Sequence, residues 1–190
     1  MWSLGAAWGR LQDKWCRGTR VGDGARRAGV SVDTVYASVG RKPERVLAVV
    51  DMVLSGTDEP LAAEERDYVQ AIRYAPTALK KIEIYAAAVA RLVPQTANLQ
   101  EALRKAGDSD ADCAATWRRL VTRRAANMRL FAADLRSTGE LRDDLSDEAV
   151  ADMVWSTNAA EYWLLLDQRG WTPVRYGVLL VDLWTRTLLA

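Results

Sequence analysis

The stretch AGVSVDTVYASVGRKPERVLAVVDMVL, residues 28–54, sets the fold that the rest of the chain must fit. Gly29 can take the positive φ that ends one helix, and Ser31 can accept from the first free amides of the next. That next helix, Val32 to Val39, is short. It puts Val32, Val35 and Val39 on one side and the hydroxyls of Ser31, Thr34, Tyr36 and Ser38 on the others. Two short helices joined by such a turn have the form of a helix-turn-helix, whose second helix enters the DNA major groove. Gly40 to Glu44 then breaks that helix and starts another, with Pro43 tolerated in a first turn.

The same stretch resembles the core of the tetracycline-repressor (TetR) family DNA-binding domain. That core runs A-G-V-S, two or three residues, hydroxyl-x-Tyr, a short spacer, then Lys and a leucine-rich helix. The resemblance implies an all-α chain in two parts. Residues 1–46 would form a helix-turn-helix DNA-binding domain, and residues 47–190 a helical bundle for ligand binding and dimerisation. It further implies that Thr34 and Tyr36 touch phosphates or bases and that Lys42 holds a phosphate, with Ser31, Arg26 and Arg41 completing the DNA-facing set. The implied partners are a double-stranded operator, a small-molecule effector and a second copy of the chain.

Charge agrees with a phosphate-binding head. Residues 1–46 carry nine Lys/Arg against four acids, a net +5, whereas the remainder carries 17 basic against 21 acidic residues. A basic quarter on an acidic body attracts a polyanion at one end only. Residues 1–24 nevertheless depart from the family pattern. Val21, Asp23 and Ala25 to Ala28 match its first motif helix, but Gly24 replaces a large aliphatic residue, Gly22 adds a second weak point, and the loop 17–20 is short. Two readings stay open: a divergent working head, or a small-molecule-binding dimer of this fold with a truncated or decayed one.

Composition narrows the chemistry. The chain has no histidine, the commonest general base and metal ligand. Cys16 and Cys113 fall short of a disulfide framework or a zinc site. A non-enzymatic protein without metal or cofactor is expected. No basic leader precedes an apolar core, and no run of 18 apolar residues occurs, so a cytoplasmic protein with no membrane span is expected.

Downstream, periodicity predicts helices throughout. An apolar stripe of Val46, Val49, Val50, Val53 and Leu54 ends at Ser55-Gly56. Thr57 to Pro60 opens a helix to Arg73, and Thr77 to Val93 forms another, ended by Pro94. Thr96 to Ala106 is a shorter helix, and Asp108-Ser109-Asp110 opens a long one to Ser137. Its outer face is assigned Arg118, Arg119, Arg123 and Arg124, paired with neighbouring acids. Ser146 starts a helix to Arg169, and Thr172-Pro173 caps the last one.

Trp155, Asn158 and Tyr162 recur at i, i+3 and i+7, a mix of ring, amide and phenol suited to a small-molecule pocket. Tyr85, Trp117, Val121 and Met128 are candidates for the facing wall. The ending WSTNAAEYWLLLDQRGWTPVRY, residues 155–176, resembles the C-terminal part of actinobacterial TetR-like regulators, in which two helices per subunit form a four-helix dimer interface. Trp163, Tyr176, Leu180, Leu183 and Trp184 are the interface residues that this resemblance and their apolar character imply.

Overall fold

The computed structural model describes residues 43–55 and 63–190. Arg26, Ser31, Thr34, Tyr36, Arg41 and Lys42, and with them the whole helix-turn-helix expectation, lie outside the described residues. Within these, the chain is all-α: α1 (Pro43–Ser55), α2 (Asp67–Tyr74), α3 (Ala78–Ala106), α4 (Ala111–Arg136), α5 (Asp147–Thr157), α6 (Ala160–Asp167) and α7 (Pro173–Leu188). A 3-10 turn, Ala63–Glu65, precedes α2, so the helix expected from Thr57 to Arg73 is described only from Asp67 onward.

α3 is the central element, packed by α1, α2, α4, α6 and α7. Its start is fixed twice: the Thr77 side chain accepts from Lys80 N at 3.2 Å, and the Glu140 carboxylate accepts from Ala78 N at 2.6 Å. It does not stop at Pro94 but runs through it to Ala106. Proline removes one amide donor and crowds the preceding turn, yet side chains take up neighbouring carbonyls. Gln95 donates to Arg91 O at 2.7 Å, and the Thr96 hydroxyl reaches Leu92 O and Val93 O. Burial on both sides of the proline, at Leu92, Ala97 and Leu99, holds the two halves in one helix.

The expected helix from Ser146 to Arg169 is instead two helices, broken at Asn158–Ala159, where Ala159 is extended (φ −70°, ψ 151°). Tertiary hydrogen bonds account for the break. The Tyr176 hydroxyl donates to Thr157 O at 2.7 Å, using a carbonyl that a continuous helix would have paired internally. Trp184 Nε1 donates to Thr157 Oγ1 at 2.8 Å, which secures the same corner.

One apolar cluster joins α3 to α7, with Ile82, Phe131, Leu135, Val150, Val154, Trp163, Tyr176, Leu180 and Trp184 buried in it. A second cluster seats α1: Val46 and Val50 pack with Leu99, Leu103 and Leu120, and Trp117 lies against them. Ion pairs tie elements together at two points. Lys81 Nζ donates to Ile72 O at 2.7 Å, ending α2, and pairs with Asp134 at 3.0 Å. Arg123 grips Asp51 of α1 through two bonds of 2.9 and 2.5 Å, with Arg66 3.7 Å from the same carboxylate.

The residues expected at a dimer interface pack within the chain's own core. Tyr176, Leu180 and Trp184 are 0% exposed and Trp163 4%, all within the chain's own core. Leu183 is partly buried against the same cluster. The Tyr176 and Trp184 polar groups are spent on Thr157, so turning them outward would break two hydrogen bonds. α7 leaves open another face, with Val174 77% and Val178 66% exposed. Leu79 of α3 and Leu165 of α6 are also exposed, and Leu79, Val174, Val178 and Val181 line one shallow groove.

Candidate ligand-binding cavity

A cavity of about 460 Å³ lies among α1, α2, α3 and α4, with Asn158 also on its wall. Most of its wall is apolar: Val50 and Leu54 from α1, Val69 and Ile72 from α2, Val89 and Leu92 from α3, Leu120 and Phe131 from α4. The volume is within the roughly 300–1,000 Å³ of small-molecule sites, which typically combine such walls with a few convergent polar groups.

The polar groups follow from the break in the α5–α6 run. Asn158 caps α5, and its side chain is turned into the bundle and buried. Arg124 Nη2 donates to Asn158 Oδ1 at 2.5 Å and to Trp155 O at 2.9 Å. Arginine can only donate, so the oxygen of the amide must face it. The Asn158 nitrogen then faces Tyr85, donating to its hydroxyl at 2.7 Å and lying 3.1 Å from Met128 Sδ. The phenol hydrogen is left to point at Met128 Sδ, 3.3 Å away. Every rotor at this centre is thereby assigned a direction.

The Tyr85 ring is clamped between Phe131, at 4.6 Å between centroids, and Trp184, at 5.7 Å. Burial pushes its phenol well above the ordinary tyrosine value, with Tyr68 adding to the effect and Arg124 opposing it. Desolvation likewise holds the Arg124 guanidinium below its ordinary value, with Tyr85 and Glu161 acting in the opposite direction. Arginine starts so high that it stays charged at neutral pH. The Trp155 ring lies 5.4 Å beneath that cation. Further along the wall, the Gln100 amide donates to Thr96 Oγ1 at 2.9 Å, and its oxygen has no partner among the described residues.

Of the seven residues expected at a pocket, Tyr85, Met128 and Asn158 line this cavity. Trp155 stands behind Arg124 rather than on the wall. Tyr162 is on the far side of the helix break, its ring 6.2 Å from Tyr176. The regular i, i+3, i+7 spacing does not survive that break. Trp117 belongs to the cluster around α1, and Val121 is also off the wall. Arg124 was assigned to the outer face of α4 and is corrected here: it points inward. Its position was readable, since Leu120, Arg124 and Met128 are spaced by four on one helical stripe.

Among the described residues no cluster of His, Cys, Asp and Glu could hold a metal ion, and no helix is long and apolar enough to cross a membrane. No protein-family model, curated protein or solved structure matches this chain.

Proposed function

We propose that the chain is a ligand-responsive, dimeric DNA-binding transcriptional regulator of the tetracycline-repressor type, acting as a repressor. The observation that carries this reading is the cavity with its desolvated Arg124–Asn158–Tyr85 centre, seated against α1 through Val50 and Leu54. In the family that residues 28–54 resemble, the corresponding helix links the DNA head to the body. An occupant touching α1 therefore has a direct mechanical route to residues 1–42. It would act by favouring a head separation that no longer matches the spacing of two half-sites in the groove. A second copy would dock on the open face of α7 around Val174 and Val178.

Binding of the full chain to fragments of its own genomic DNA tests this reading. With about three phosphate contacts per subunit, the log–log salt slope of a dimer is expected at about −5. Lys42→Ala should weaken binding to all sequences alike, whereas Tyr36→Ala should also relax sequence preference where the ring reaches a base. A slope near zero, or full affinity after deletion of residues 1–46, overturns the proposal. That result would leave a ligand-binding dimer without a working head, the reading that Gly22 and Gly24 favour.

A further inference from the structure

We infer that the occupant of the cavity is an apolar monoanion, a single carboxylate on a hydrocarbon body, with its acid group paired to Arg124. The inference rests on the ligand-binding reading above and adds the chemical class. Arg124 lies on the cavity wall and has no carboxylate within ion-pair distance among the described residues. Its two bonds both leave from Nη2, to neutral oxygens, so Nε and Nη1 meet no acceptor there. Nη1 can donate to an oxygen of a carboxylate on the occupant, a charge-assisted bond.

The other cations near the site are paired or, like Arg73, exposed to solvent. Arg123 and Arg66 share Asp51, and Lys81 is paired with Asp134. A partly buried guanidinium whose hydrogen bonds go only to neutral oxygens favours a negative charge on the ligand. A neutral ligand would leave the guanidinium desolvated without compensation, and a cation would add repulsion in a low-dielectric site. The rest of the wall offers mainly aliphatic and aromatic surface, which a hydrocarbon body covers.

Isothermal titration of the full chain with dodecanoate, dodecan-1-ol and dodecyltrimethylammonium, each below its micelle threshold, tests this. The carboxylate should bind one per chain and about ten- to a hundredfold tighter than the alcohol, the gain expected of charge-assisted hydrogen bonds. The ammonium should bind weakest. Arg124→Met should erase the preference for carboxylate over alcohol, and Arg124→Lys should keep a reduced preference. Equal affinities of carboxylate and alcohol in the unsubstituted chain, a measurement that needs no variant to fold, overturn the inference. So does a preference that survives in Arg124→Met, or no binding of any of the three. Carboxylate binding by a chain with no affinity for DNA supports this inference and overturns the regulator reading. Release of DNA by neutral or cationic ligands, without carboxylate preference, does the reverse.

Discussion

Tyr85 and Tyr176 are neutral groups whose function depends on staying so. Burial raises both phenols, so the folded chain holds these protons more tightly than the unfolded chain does. A raised folded-state value means that the stabilisation is complete below the ordinary tyrosine pKa of about 10 and is lost as pH climbs above it. Alkaline unfolding followed by helical circular dichroism should therefore begin near pH ~10. Tyr85→Phe should make it less steep; an unaltered profile in that variant would contradict the burial argument. At neutral pH the Tyr176 hydroxyl has another task, the Thr157 carbonyl at the helix break. Tyr176→Phe leaves that carbonyl without its donor and should lower stability by about 1–3 kcal/mol in urea unfolding. The sequence exposed Tyr85, Met128 and Asn158 because rings, thioethers and amides on apolar stripes are few. It hid Arg124 behind a habit of placing arginines outside, although the stripe Leu120–Arg124–Met128 carried the contrary signal.

Helix starts were legible where a side chain makes the cap. Thr77, Asp110, Ser146 and Thr172 each accept from an amide of the first turn, as short polar residues before apolar runs should. Stops set by tertiary contacts were not legible. Pro94 reads locally as an end, but flanking burial carries α3 across it; Asn158 reads as mid-helix, yet Tyr176, from far along the chain, takes the carbonyl beside it. The crossing of α7 over α3 also depends on a contact that periodicity cannot reveal. A Cβ on Gly177 would lie 3.1 Å from the Ala90 Cβ, tighter than ordinary packing. Gly177→Leu should force the two helices apart and lower stability by about 1–3 kcal/mol, measured by thermal unfolding. Ala90→Gly in the same chain should recover part of the loss, because it removes the opposing methyl. No recovery would mean that the strain is relieved somewhere other than at this crossing.

For the whole molecule, assembly turns on which face of α7 is spoken for. The sequence shows a helix apolar over more than one stripe, and apolar character alone cannot say which stripe faces the chain's own core. The core claims Tyr176, Leu180, Trp184 and Leu188, recurring every four residues. Val174 and Val178, also four apart, occupy the stripe left open beside Val181 and Leu79. Two substitutions two residues apart should therefore behave oppositely. Val178→Glu places a charge on a side chain already 66% exposed, so a single subunit should keep its helix content and melting. A dimer using this face would instead have to bury an unpaired carboxylate, at a cost of several kcal/mol. Sedimentation should show folded monomers. Leu180→Glu sends the same charge into a site with no exposure, and that chain should unfold or aggregate rather than dissociate. If Val178→Glu still sediments as a dimer, the second copy binds elsewhere. If Leu180→Glu yields a folded monomer, the side chains that α7 turns inward are those that meet the partner, and the assignment of its two faces is reversed.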